Sequence, residues 1–144
     1  MKVYCFDRDY TVSTSPSPPR MGPCVPIEWV RGLAHQAGYP VIATGNQQLC
    51  QEANIPGDTY LQNKYEELPT EIKSNVPAPP EDGDPPTRRY RLRLVEVLFD
   101  AESYIVVDDA DLSDIENDRW THYYPWDFVD AVHAGNITIP GINH

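Results

Sequence analysis

The first dozen residues carry the chain's most reactive pattern. Val3-Tyr4-Cys5-Phe6 is a short apolar run, and it leads straight into Asp7-Arg8-Asp9-Tyr10-Thr11. Two carboxylates one residue apart at the end of a rigid element can bind a hard cation through oxygen. One of them can also serve as an oxygen nucleophile. Asp and Thr are common turn residues too, so the pattern by itself is equally a solvated strand-to-loop turn. Two further apolar runs end in comparable groups. Tyr39-Pro40-Val41-Ile42-Ala43 ends in Thr44-Gly45-Asn46, and Tyr104-Ile105-Val106-Val107 ends in Asp108-Asp109, with Asp111 and Asp114 following.

Each run is short, continuous and rich in β-branched or aromatic residues, which predicts buried strands. In a parallel sheet the carboxyl ends of such strands lie along one edge, where open α/β sheets place their ligands. Between the strands, Pro26 opens a helix with Ile27, Val30 and Leu33 at helical spacing and Gly38 as its stop. Asn46 can cap a short helix through Ala53. The stretch Gly57–Leu68 is ambiguous, with Thr59-Tyr60-Leu61 readable as an edge strand. A helix is expected from near Thr87 to about Ala101, with Tyr90, Leu94, Val97 and Leu98 facing inward. Residues 120–124 read as a further strand, and Pro125 opens a last helix closed by Gly135. This order predicts an α/β fold: a three-layer α/β/α sandwich on a mostly parallel, Rossmann-like sheet. One domain is expected over 1–135, with a proline-rich loop at 76–86. The tail 136–144 is expected to be loose, with Ile137, Ile139 and Ile142 available to dock on a neighbour.

Together the three strand ends resemble the motifs of the haloacid dehalogenase-like superfamily of phosphatases and phosphotransferases. That family has a strand running into Asp-x-Asp-x-Thr, then a strand ending in Thr or Ser. A Lys or Arg follows, and a last strand ends in Asp-Asp with another Asp four or five residues on, the spacing of Asp109 and Asp114. Tyr10 is similar to the magnesium-dependent phosphatase subgroup, and Asp7-Arg8-Asp9 to sugar- and histidinol-phosphate phosphatases. The resemblance covers roughly residues 1–130 and implies a small, capless, Mg²⁺-dependent phosphomonoester hydrolase. Asp7 would be the nucleophile and Asp9 the acid/base. Asp7, the main-chain carbonyl of Asp9 and Asp109 would hold Mg²⁺, with Asp108 and Asp114 supporting them. Thr11, Thr44, Gly45 and Asn46 would hold the phosphoryl oxygens. Arg88 fits the place of the basic residue, with Arg89 second, Arg91 third, and Lys64 and Lys73 as fallbacks. In that family the two acids are brought together by a single helical turn after the first, which Tyr10-Thr11 must supply here.

The rest of the composition narrows the setting. The chain has 144 residues, a formal charge of −11 and a sequence pI near 4.6, with lysine only at positions 2, 64 and 73. Such an acidic, lysine-poor surface suits a salt-rich cytosol and points to a halophilic source. Without a basic face, sequence-independent nucleic-acid binding is not expected. No apolar stretch of about 18 residues exists, and the start lacks a secretory pattern, so a cytoplasmic protein without a membrane span is expected. Cys5, Cys24 and Cys50 are odd in number and lack metal spacing, which fits reduced thiols. His35, His122, His133 and His144 lack zinc spacing. Trp120, Tyr123, Tyr124 and Trp126 read as packing residues rather than a stacking platform.

The expected partner is a phosphorylated small molecule, with the loop 13–22 or a second copy of the chain covering an otherwise open site. A second reading is a non-catalytic relative that uses the same sheet as a phosphate-binding or protein-interaction module. A phospho-acceptor receiver domain is opposed by the order of the motifs, because its acidic pair comes early and its acceptor Asp lies on a central strand.

Overall fold

The computed structural model describes residues 1–76 and 87–143; most of the expected proline-rich loop (77–86) and His144 lie outside the described residues. Four strands form one all-parallel sheet: β1 (Lys2–Phe6), β2 (Val41–Ala43), β3 (Ser103–Val107) and β4 (Trp120–Tyr123), in the order β2-β1-β3-β4. The chain therefore leaves β1 toward one side for β2 and returns to the other side for β3. That reversal creates a switch point between the carboxyl ends of β1 and β3. Phe6 pairs with Val107 in register, and the Asp7 amide donates to the Val107 carbonyl at 3.0 Å. The residues just past both central strands are thereby fixed side by side.

Strand periodicity divides the core. Tyr4, Phe6, Val41, Ala43, Ile105 and Val107 join one apolar cluster, whereas Val3, Cys5, Ile42, Tyr104 and Val106 join another. Successive side chains of a strand point to opposite faces, so both faces are dry, as parallel strands require. The first cluster takes in α1 (Ile27–Arg31, continued by a π-helical turn over Gly32–Gln36), α2 (Gln48–Ala53) and α6 (Pro125–His133). The second takes in Leu61 of α3 (Asp58–Glu66) and the apolar face of α5 (Arg88–Leu98). A short helix, α4 (Thr70–Lys73), has no buried residue.

Helix boundaries follow local chemistry. Thr87 caps α5 by accepting from the Tyr90 amide at 3.1 Å. Gly135, at φ +81, ends the last helix where a side chain would be strained. α5 stops at Leu98, short of the expected Ala101, because Phe99 is extended and its carbonyl is taken by the Tyr104 hydroxyl.

Two expectations are corrected. Thr59-Tyr60-Leu61 lies inside α3 and forms no edge strand; Leu61, on its single buried stripe, packs under the sheet. Ile137 and Ile139 of the tail are buried in the chain's own first cluster rather than kept for a neighbour. Asn143 fastens them by donating to the carbonyls of Val132 and Ile137 at 2.7 and 2.8 Å. Ile142 stays half exposed. Among the described residues, no helix is long and apolar enough to cross a membrane.

Candidate active site

The carboxyl ends of β1 and β3 bring three acids together. One oxygen each from Asp7, Asp108 and Asp109 falls in a group whose members lie within 4.8 Å of one another. Asp7 and Asp108 are buried, and Asp109 is mostly so. Burial of like charges in so small a space is unfavourable unless cations compensate. Arg88, the first residue of α5, supplies one: its Nε lies 2.6 Å from Asp108 Oδ2, and an Nη lies 3.7 Å from Asp7 Oδ1. The short contact with Asp108 is an ion pair without hydrogen-bond alignment.

The compensation is incomplete. Desolvation first, then the neighbouring Asp108 charge, pushes the Asp7 carboxyl up to about 8 from an ordinary 3.8. Desolvation likewise raises Asp108, partly opposed by the Ala110 amide and Arg88.

The turn after Asp7 places Asp9. The Arg8 carbonyl accepts from the amides of Thr11 and Val12 at 3.1 and 3.0 Å, and Tyr10 sits in the left-handed region at φ 61. For a non-glycine residue that conformation costs about 1–2 kcal/mol. The turn folds the chain back directly after the strand, and Asp7 and Asp9 both line one cleft of about 710 Å³. Thr11 ties the two central loops together. Its hydroxyl donates to Asp7 Oδ2 at 3.2 Å and accepts from the Asp109 amide at 3.2 Å.

The loop after β2 closes the cleft's other side. Gly45 passes so close to Asp7 that a Cβ would collide with the carboxylate, lying 2.8 Å from its carbon. Asn46 donates to Asp9 at 3.1 Å, and its side-chain oxygen accepts from the Gln48 amide at 3.0 Å; the N-cap position of α2 is Gln47 and not the expected Asn46. Thr44 is fully buried, and its hydroxyl has no hydrogen-bond partner among the described residues.

The structure thus gathers Asp7, Asp9, Gly45, Asn46, Arg88 and Asp109 in the lining of one cleft, with Thr11 and Asp108 buried against them, while Thr44 is buried and outside that lining. It does not bring Arg89 or Asp114 there. These two pair with each other at 2.8 Å on an exposed surface, outside the cleft lining and outside the acidic group. The mutual pair also holds the Asp114 carboxyl below its ordinary range.

Two arginines near the site, Arg20 and Arg8, are given no role by the sequence pattern. Arg20, from the loop before α1, reaches Asp109 at 2.9 Å and lies 3.9 Å above the Tyr10 ring. Arg8 is buried and forks onto Glu52 at 2.8 and 2.9 Å while reaching Asp9 at 3.0 Å. This fork holds the Glu52 carboxyl below its usual range. Arg91, the third candidate for the basic residue, is buried and lines the cleft. It is pinned to Asp58 and donates to the Thr44 carbonyl at 3.0 Å. For Arg8 a sequence signal existed, since a basic residue between two acids at a strand end is poorly placed to stay solvated. For Arg20 there was none, because loop residues carry no periodicity.

No family model, no curated protein and no solved structure matches this chain.

Proposed function

We propose that the chain is a Mg²⁺-dependent phosphomonoester hydrolase that works through an aspartyl-phosphate, on a three-layer fold of the haloacid dehalogenase-like type. The observation that carries this reading is the Asp7–Arg88–Asp108 arrangement, with Asp109 beside it, at the switch point of a parallel sheet. The two apolar clusters, one on each face of the sheet, support the layering. A donor set of carboxylate oxygens alone suits a hard cation, and three acids facing Arg88 and Arg20 leave negative charge for one to neutralise. Asp7, Asp109 and the Asp9 carbonyl would hold Mg²⁺, backed by Asp108, and the ion would keep Asp7 ionised and screen it from an anionic substrate.

In the proposed reaction an Asp7 oxygen forms a bond to phosphorus while the bond from phosphorus to the leaving oxygen breaks. Asp9 gives its proton to that oxygen, then takes one from water. The resulting hydroxide attacks phosphorus, the Asp7–phosphorus bond breaks, and inorganic phosphate leaves. Gly45 has room only for hydrogen, so its main chain approaches close enough for a phosphoryl group to meet nearby amides. The unpartnered Thr44 hydroxyl is suited to the same task. Arg88 neutralises charge on both sides of the nucleophile. Turnover of an aryl phosphate that requires Mg²⁺, stops reversibly on chelation and vanishes in Asp7→Asn would support this reading. Binding of phosphate without any turnover in the parent chain would favour the non-catalytic alternative.

A further inference from the structure

The cleft does not end at Asp109. Arg20 and Asp109 also form one wall of a second cavity of about 780 Å³, whose other walls are Met21, Tyr124, Trp126 and the acids Asp111 and Asp127. The Arg20–Asp109 ion pair is therefore a partition inside one trough. Tyr124 and Trp126 lie on the far side with rings parallel at 3° and centroids 5.0 Å apart. Both are only partly buried, unlike Trp120, which is buried and stacked on Tyr104 as ordinary packing. Met21 is 81% exposed, the most exposed large apolar side chain described. Gly22 lets the loop's main chain lie directly on the base of Trp126, since a Cβ there would sit 2.5 Å from the Trp126 Cβ. This contact holds Met21 over the trough. The exposed side of this aromatic stack, with Met21, lies beside a cluster of ionised groups; such apolar surface is costly to leave wetted, and it suits a ring whose polar end lies in the cleft.

Resting on the phosphatase reading above, we infer that this cavity is the subsite for the substrate's leaving group. It would take a planar aromatic or heteroaromatic ring that packs on Tyr124, Trp126 and Met21 while the phosphoryl group sits at Asp7. Asp111 and Asp127 on the wall repel a second anionic group, so the substrate carries one phosphate and no further negative charge on the ring.

Two non-hydrolysable probes test this on the Mg²⁺-loaded chain, methylphosphonate and phenylphosphonate. They share a head group and differ in the ring. The readouts are the amide resonances of Gly45 and Asn46 and the indole resonance of Trp126, assigned with Trp126→Phe. Both probes should shift the two amides. Only phenylphosphonate should move the Trp126 indole, and it should bind roughly threefold to tenfold tighter, the size of one aromatic contact. Trp126→Ala should remove that preference and leave methylphosphonate binding unchanged. The parent's indole resonance decides the matter even where Trp126→Ala does not fold. Equal affinity for the two probes with a still indole overturns the subsite and leaves the phosphoryl reading standing. Probes that leave Gly45 and Asn46 unmoved overturn the phosphoryl reading, and the subsite with it.

Discussion

Replacing Asp7 by Asn should stabilise the metal-free fold while removing its activity. Asp7 is buried beside Asp108, and its carboxyl is raised to about 8 from 3.8. Below the lower value the group is protonated in both folded and unfolded chains, and its contribution is fully present. Between the two values only the folded chain holds the proton, so stability drains away as pH rises through that window. At pH 8.5 the folded parent must carry an ionised carboxylate in a site that penalises each ion by several kcal/mol. The attraction to Arg88 returns part of this, leaving about 2 kcal/mol for the neutral amide to recover. For a domain of this size that is about 6 °C in melting temperature. Melts in chelator should place Asp7→Asn above the parent by about that amount at pH 8.5, with the gap closing toward pH 4. Added Mg²⁺ should reverse the order, because the parent gains binding energy that the variant largely lacks. A parent as stable as the variant at pH 8.5 in chelator would refute the claim that uncompensated burial dominates at Asp7.

Further outcomes follow from neighbouring residues. Arg88→Met should lower turnover by about 10²–10³-fold, because it removes the cation shared by Asp7 and Asp108; a steady-state rate within tenfold of the parent would exclude that role. Gly45→Ala should cost turnover with little loss of secondary structure by circular dichroism, since the atoms nearest the new methyl group all belong to Asp7, its carboxylate first. With a formal charge of −11, melting temperature should rise as KCl goes from dilute to molar, and a flat or falling curve would reject adaptation to salt.

What could be read from the sequence follows the reach of local rules. Strands β1 and β3 were legible because a buried parallel strand needs an unbroken apolar run, and their ends carried Asp7, Asp108 and Asp109. Arg88 was singled out by the family resemblance and not by any local rule, and in the structure it lies beside Asp7 and Asp108. The α3 segment was not, because Thr59-Tyr60-Leu61 has strand-forming residues and only Leu61 is buried, too little to show a helical period. Arg89 and Asp114 were grouped with the site by the family resemblance, but α5 turns successive residues by about 100°, so Arg89 points away from the cleft that Arg88 enters. Arg20 and the Tyr124–Trp126 pair depend on how the loop at 13–22 lies against the start of α6, and no short-range pattern encodes that. Tyr10 is intermediate: the family resemblance implies a turn after Asp7, whereas no sequence signal marks its left-handed backbone.

The nucleophile is the central claim, and trapping the covalent intermediate tests it most directly. The Mg²⁺-loaded chain would be mixed with an aryl phosphate, quenched in acid during turnover, digested and read by mass spectrometry. The account predicts a phosphoryl group on the peptide holding Asp7, labile to hydroxylamine and absent from Asp7→Asn. Sustained turnover with no label on that peptide, or a label that persists in Asp7→Asn, would contradict it.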